Sequence, residues 1–276
     1  MTTFQAIVYA MIHGISQFLP ISPTAHHVLI PYLVGWEPPP VALLGAMTLA
    51  AFSALMIFFR HDWASMISCL LQVIIYRKRP MTLDERLPLF ILISFIPTWL
   101  TTTYLNHWVN ESQWTPLVIA FIFAGTGLIL WVVDSMSRKS KGIYDWNWFD
   151  ASVVGLLQAV SVVPGFDAFT AVLIAGLFLN YRRDTATKYA YFTLAPLLLI
   201  SSISRLKDVN FHAAAPSPDL TWLSFGIAFV VTFFIGLLCI GGFTKHVLQK
   251  GLGQYAIYRW VLAIGVGVAY WVKTQG

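Results

Sequence analysis

The sequence predicts an all-α integral membrane protein with about six transmembrane helices and two re-entrant helical hairpins, arranged as inverted-topology repeats. Three observations lead to this prediction. Of the 276 residues, 58% are hydrophobic and only 11% are charged, and the mean hydropathy of +0.71 exceeds what one soluble core uses. Several apolar runs are long enough to cross a bilayer. Two further apolar stretches are interrupted by proline.

The first interrupted stretch, residues 4–31, is broken at Pro20 and Pro23 into segments that are each too short to span a membrane. Non-helical backbone at membrane depth is tolerated only where protein or a water-filled cavity satisfies its polar groups. We therefore predict a re-entrant hairpin whose polar side chains line a buried cavity. These side chains are His13, Ser16, Gln17, Ser22, Thr24, His26 and His27.

Six uninterrupted apolar runs have about the length, roughly 20 residues, that the hydrocarbon core requires. They are residues 41–59, 87–105, 114–133, 189–204, 220–242 and 255–272. A shorter run, residues 64–76, is predicted to be an interfacial helix lying beside the core.

The second interrupted stretch, residues 151–179, breaks at Pro164 and Gly165 and carries Asp167 just after the break. An ionisable group at the centre of a membrane helix costs roughly 2.5 to 3.5 kcal/mol on insertion scales. We expect Asp167 to lie in the cavity and to matter for function. The alternative is a shallow loop in which Asp167 is hydrated.

The basic residues predict the orientation of the chain in the membrane. Threading the spans places most Lys and Arg residues on one side, and only Arg205, Lys207 and Lys273 on the other. The positive-inside rule makes the first side cytoplasmic, so both termini are predicted to face outward. The net charge of +5 is therefore read as a topology signal and not as a nucleic-acid surface.

This topology sends the two hairpins into the membrane from opposite faces. Residues 1–276 then form a single membrane domain in which residues 1–133 and 150–272 are two inverted repeats. A sequence echo agrees with this division, because Gly14-Ile15-Ser16-Gln17 precedes Pro20 and Gly155-Leu156-Leu157-Gln158 precedes Pro164.

At these two breaks the chain resembles the bacterial undecaprenyl-pyrophosphate phosphatase family. The family reads roughly E-G-x-T-E-F-L-P-x-S-S-T-G-H at the first loop, where this sequence has HGISQFLPISPTAH from His13 to His26. The family reads P-G-x-S-R-S-G at the second loop, where this sequence has PGFDAFT from Pro164 to Thr170. The resemblance extends to Tyr255-Ala256-Ile257-Tyr258-Arg259 and implies that family's fold across nearly the whole chain.

The residues to which the family's hydrolysis is attributed are mostly replaced. His13 and Gln17 stand where glutamates are expected, and Pro23 replaces a serine. Asp167 and Ala168 replace the serine and arginine of the second loop. Alanine offers no donor to a phosphate, and hard divalent cations need carboxylate ligands. The resemblance therefore implies the fold more strongly than the phosphatase chemistry.

Several roles remain open for the surviving polar residues. His26 is either an acid/base group or nucleophile, as the resemblance implies, or a histidine that fixes the loop. His13, His26 and Asp167 are a candidate proton relay or transition-metal site. Arg259 either snorkels to the cytoplasmic surface or faces the cavity, where it pairs with Asp167 or with a substrate phosphate.

The leading functional hypothesis is a divergent family member that binds or translocates a polyprenyl-phosphate-type lipid or related amphiphile without normal phosphatase activity. One alternative is an active undecaprenyl-pyrophosphate phosphatase with a rebuilt His/Asp acid-base set, and another is a non-catalytic subunit of an envelope-lipid enzyme. The candidate catalytic residues, for an enzyme only, are His26, Ser22, His13 and Asp167. The candidate substrate-binding residues are Gln17, Ser22, Thr24, His26, Gln158, Asp167, Thr170 and Arg259.

The expected partners are membrane lipids, either a polyprenyl phosphate or a pyrophosphate, with no nucleic acid and with a homodimer left open. No cofactor or metal is predicted, except a divalent cation if phosphatase activity is retained. The expected location is the bacterial cytoplasmic membrane.

Overall fold

A computed structural model describes residues 1–104, 114–211, 213–217 and 220–275 of the protein. Most of the residues in these ranges are helical. Within these ranges the helices are α1 Thr3–Ser16, α2 Pro23–Val34, α3 Val41–Phe58, α4 Arg60–Ile75, α5 Leu83–Tyr104, α6 Pro116–Met136, α7 Trp148–Ala159, α8 Ala168–Phe178, α9 Arg183–Leu206, α10 Trp222–Gln249 and α11 Gly253–Gln275.

Six of the described helices are long and apolar enough to cross a membrane, namely α3, α5, α6, α9, α10 and α11. This agrees with the six predicted spans. Several helices are longer than the apolar runs, since α9 begins at Arg183 and α10 continues to Gln249. Hydropathy detects the part inside hydrocarbon, whereas helical hydrogen bonding continues beyond it. The predicted end of the second span, residue 105, lies outside the described residues.

Helix α4 occupies the predicted interfacial segment but begins four residues earlier, at Arg60. Met66 is its only buried residue, and apolar side chains such as Ile67, Leu71 and Ile74 are exposed. A helix of this kind needs lipid against its apolar side chains. Its placement in the membrane interface stays a prediction.

Both interrupted stretches are broken where the sequence predicts. Helix α1 ends at Ser16, and α2 begins at Pro23, which occupies a first-turn position where proline is well tolerated. Pro31 does not end the first hairpin, because α2 continues through it to Val34. In the second stretch α7 ends at Ala159 and α8 begins after Asp167. That the two pairs are re-entrant and enter from opposite faces stays a prediction.

Helix α8 is the innermost helix of the second pair. All of its residues except Phe178 are buried, and it packs against α6, α7 and α9. A helix that is apolar all round needs such surroundings. Because α8 is held on several sides, the loop that precedes it is also held in the interior.

The two broken pairs pack reciprocally on the opposite halves of the chain. Helix α1 of the first half packs on α10 of the second, and α7 of the second half packs on α5 of the first. A glycine lies at each contact. A Cβ on Gly14 would lie 2.9 Å from Ile235 Cγ2, and a Cβ on Gly155 would lie 2.8 Å from the Ser94 backbone. The repeated glycine of the sequence echo therefore marks two close helix crossings.

We predict that Gly155→Ala destabilises the protein by about 1–3 kcal/mol, because the added methyl meets the backbone of α5 and forces the helices apart. The measurement is the thermal midpoint of the purified protein in detergent. Gly226→Ala is the matched control, since a Cβ there meets no atom within 4 Å. Equal midpoints for the two variants would contradict the close-packing interpretation.

Candidate functional site

Arg259 of α11 joins the two loops that interrupt the broken helix pairs. Its side chain is fully buried. In the first loop, its Nε donates to the Pro20 carbonyl over 3.0 Å. In the second, its Nη2 donates to Asp167 Oδ2 over 2.9 Å. One guanidinium therefore holds both loops at a single point.

Asp167 is the counter-ion of Arg259 and also the N-cap of α8. Its Oδ1 accepts the Thr170 N–H over 2.8 Å, and its Oδ2 accepts the Thr170 hydroxyl over 2.6 Å. Its side chain is only 6% exposed. A buried carboxylate needs an opposite charge and hydrogen-bond donors, and Asp167 has both.

Helix α6 encloses the other side of the guanidinium. Arg259 Nη1 donates to the Thr126 hydroxyl, and the guanidinium carbon lies 4.8 Å from the centre of the Phe123 ring. Nη2 makes a second bond, 2.7 Å long, to the Thr170 hydroxyl. The guanidinium therefore contacts both loops, α6 and α8 while remaining fully buried.

His26 of α2 is oriented by two hydrogen bonds. Its Nδ1 lies 2.8 Å from the Ser22 carbonyl, which only accepts, so Nδ1 carries the hydrogen. In the neutral ring Nε2 then accepts from the Tyr258 hydroxyl over 2.6 Å. Tyr258 precedes Arg259 on α11, so adjacent residues of one helix contact both predicted functional loops.

The hydroxyl groups of the first loop are used within the loop. Ser22 has a left-handed backbone with φ of 61°, which is uncommon for a residue with a Cβ. Its Oγ lies 3.1 Å from Thr24 Oγ1 and caps α2 through the Ala25 N–H. Backbone strain of this kind clusters at functional sites.

His13 does not join His26 and Asp167 in the hypothesised metal group. Its Nδ1 lies 3.2 Å from His27 Nε2, and the two rings are stacked. In the part of the chain that the structure describes, no three His, Cys, Asp or Glu side chains are grouped to hold a metal. His27, which pairs with His13, was predicted from the sequence to line the cavity but was not among the candidate catalytic or substrate-binding residues.

The two glutamines of the sequence echo are both buried, Gln17 at the end of α1 and Gln158 near the end of α7. Neither amide atom of Gln158 has a hydrogen-bond partner among the described residues. A buried unpaired amide is costly, so this side chain is expected to have a water or ligand partner.

Sequence reasoning missed Thr126, Phe123 and Tyr258. Tyr258 was visible as the residue before Arg259 in the motif quoted above, and Thr126 as a polar residue within an apolar run. Two positions were predicted for Arg259, one at the cytoplasmic surface and one facing the cavity. The structure shows the second, because Arg259 is fully buried and paired with Asp167.

The fold and this site define a multi-pass helical membrane protein in which two broken helix pairs meet at a buried polar network. The chain belongs to the family described as Bacitracin resistance protein BacA, which it matches over residues 6–265. This confirms the family resemblance noted in the sequence.

Two curated relatives are similar over almost their whole length. Undecaprenyl-diphosphatase 2 of Stutzerimonas stutzeri (strain A1501) is 29% identical, covering 95% of this chain and 96% of the relative. Undecaprenyl-diphosphatase 1 of Pseudoalteromonas translucida (strain TAC 125) is 29% identical, covering 96% of this chain and 98% of the relative.

We predict that Arg259→Gln destabilises the protein by about 3–5 kcal/mol, because it leaves the buried Asp167 carboxylate without its cation. Thermal melting in detergent measures the loss. Arg182→Gln is the control, since its pair with Asp184 is largely exposed and is worth at most about 1 kcal/mol.

The double variant Arg259→Gln/Asp167→Asn should lose less stability than the sum of its single variants, because it removes both charges. Additive losses would show that the two side chains are not energetically coupled.

Proposed function

We propose that this protein binds a polyprenyl-phosphate-type lipid carrier between its two loops and translocates it, without hydrolysing pyrophosphate in the manner of its relatives. One observation carries the proposal. Arg259, which contacts both loops, is already neutralised by Asp167, an acid standing where the family motif has a serine.

The chemistry of the site argues against metal-assisted hydrolysis. Mg²⁺ and Ca²⁺ take hard oxygen ligands, mainly carboxylates, whereas this chain has His13 and Gln17 at the expected glutamate positions. His13 is engaged with His27. Ala168 stands where the family motif has an arginine, whose guanidinium would bind a diphosphate through a bidentate contact.

The architecture supports binding and movement of an amphiphile. The names of the two relatives identify undecaprenyl diphosphate as their substrate, so a related lipid is the natural ligand class here. Broken helices that meet at a buried site are a recurring arrangement in transporters. Because Arg259 contacts both loops and Tyr258 contacts His26 at the start of α2, a displacement of α11 would affect both loops together. We place the protein in the bacterial cytoplasmic membrane.

We predict that purified protein in liposomes moves a fluorescent polyprenyl phosphate between leaflets faster than protein-free liposomes do, and releases no phosphate from undecaprenyl pyrophosphate with or without Mg²⁺. Asp167→Asn should change the transfer rate, because it alters the charge beside Arg259. Asp184→Asn, which removes a partly exposed carboxylate, should not. Transfer equal to that of protein-free liposomes would rule out the transport proposal.

Hydrolysis is the second candidate function, and the orientation of His26 favours it. With Nδ1 fixed on the Ser22 carbonyl, the Nε2 lone pair points away from the backbone and is suited to acid/base or nucleophilic work. In the observed structure this lone pair accepts a hydrogen bond from the Tyr258 hydroxyl.

For an enzyme of this kind we expect phosphate release from undecaprenyl pyrophosphate to fall at least about 100-fold in His26→Ala, the scale of a lost general acid/base. His246→Ala is the control, because this histidine lies near the end of α10 that is predicted to be cytoplasmic. Its Nε2 contacts Gln254 of α11 there, and among the described residues no residue of the two loops is its hydrogen-bond partner. Wild-type protein that releases no phosphate would exclude this second function.

A further inference from the structure

We infer that Asp167 is an internal substitute for the ligand's phosphate, so that anion binding to Arg259 is coupled to uptake of one proton by Asp167. The inference rests on the proposed function and specifies its site: a phosphate monoester takes the place of the carboxylate on Arg259. The displaced carboxylate is neutralised by a proton from solution. No covalent bond to the ligand forms or breaks.

In the observed state Arg259 has no free pair of N–H groups for a bidentate contact with an anion, because four of its five N–H groups already donate hydrogen bonds. It makes four hydrogen bonds, to Pro20, Thr126, Asp167 and Thr170, and it is fully buried. A phosphate therefore makes a bidentate contact with the guanidinium only by replacing a present acceptor. The acceptor that carries negative charge is Asp167, and the oxygens of a phosphate can take the place of its carboxylate oxygens.

Asp167, and not Arg259, is the group whose charge changes. An arginine guanidinium does not lose its proton in proteins. Once the phosphate occupies Arg259, an ionised Asp167 would be a second buried anion beside it. Burial and a neighbouring like charge both favour the neutral carboxylic acid. The proton therefore binds to Asp167.

Protonated Asp167 keeps its two hydrogen bonds with Thr170. Its Oδ1 still accepts the Thr170 N–H, at 2.8 Å in the present state. Its Oδ2, now carrying the proton, donates to the Thr170 hydroxyl, which lies 2.6 Å away and presently donates to it. The hydroxyl only has to rotate, since it both donates and accepts. The cap of α8 is preserved in both charge states.

Among the groups that surround Arg259, Asp167 is the one that takes up the proton when the phosphate binds. Helix α11 presents Arg259 and Tyr258, and α2 presents His26, whose two ring nitrogens are both hydrogen-bonded. Helix α9 presents Tyr191, whose hydroxyl donates to the Phe18 carbonyl. The side chains of α6 that contact Arg259 are Thr126 and Phe123, neither of which titrates.

The acid of α7 is already paired elsewhere. Asp150 lies at the start of that helix, where Lys141 binds it over 3.1 Å. Asp167, in contrast, is paired with Arg259, the cation that would bind the phosphate of the ligand.

The sign of the pH dependence follows from the two states. Asp167 is ionised while paired with Arg259 and protonated when the phosphate is bound, so binding takes up a proton and weakens as the pH rises. The limiting slope is about tenfold in Kd per pH unit. A phosphate monoester has its second pKa near about 6, so between about pH 7.5 and 9 the ligand itself is already a dianion.

The experiment is isothermal titration calorimetry of the whole protein in lipid nanodiscs with farnesyl phosphate as the probe. Titrations between pH 7.5 and 9, in buffers of different ionisation enthalpy, give the number of protons taken up. Inorganic phosphate and uncharged farnesol are the other two arms. We expect about one proton per farnesyl phosphate in the wild type, weaker binding of inorganic phosphate and no binding of farnesol.

Variants separate the exchange from a structural role of Asp167. Asp167→Asn should bind farnesyl phosphate without proton uptake, with an affinity that is independent of pH and at least equal to that of wild type at pH 9. Asp167→Ser keeps a capping oxygen and should behave in the same way if the amide variant does not fold. Asp184→Asn, which removes a partly exposed carboxylate, should keep the wild-type proton uptake.

Wild-type binding without proton uptake would overturn the exchange and leave the proposed function standing. No binding of farnesyl phosphate between pH 5 and 9 would overturn the proposed function itself. Equal binding of inorganic phosphate would overturn the lipid assignment. The wild-type measurement decides between these outcomes without any variant.

Discussion

The buried ion pair between Arg259 and Asp167 is the interaction on which the arrangement of the two loops depends. A lone charge inside a membrane protein costs several kcal/mol, so each partner requires the other. The arginine also binds the Pro20 carbonyl and the aspartate caps α8, so the pair ties the first loop, the second loop and α11 together. Neither loop is positioned independently of the other.

Close packing brings the helices near enough for that pair to form. Gly14 and Gly155 let the two broken pairs approach α10 and α5 to distances that a Cβ would obstruct. These crossings join the two halves of the chain, since the first helix of each broken pair packs on a helix of the other half. The polar network therefore lies where the halves meet, which is also where transporters with broken helices place their ligands.

The substitutions in the family motifs are related to one another by charge. Loss of the arginine at Ala168 and gain of the acid at Asp167 make the second loop more negative, and Arg259 of α11 compensates that change. In the first loop, His13 stands at a glutamate position and pairs with His27. These substitutions replace the carboxylates and the guanidinium that metal-assisted hydrolysis of a diphosphate would use, and they are the basis of the proposed non-hydrolytic function.

The sequence by itself determined the class of protein, the six spans, the places where two helices break and the family, because hydropathy, proline and short motifs are local properties. It also identified Asp167 and Arg259 as candidates. Only the tertiary structure decided that they pair, that Tyr258 contacts His26 and that His13 turns to His27. Those contacts join residues up to 232 positions apart, and no local pattern specifies which of several buried polar groups will meet across helices.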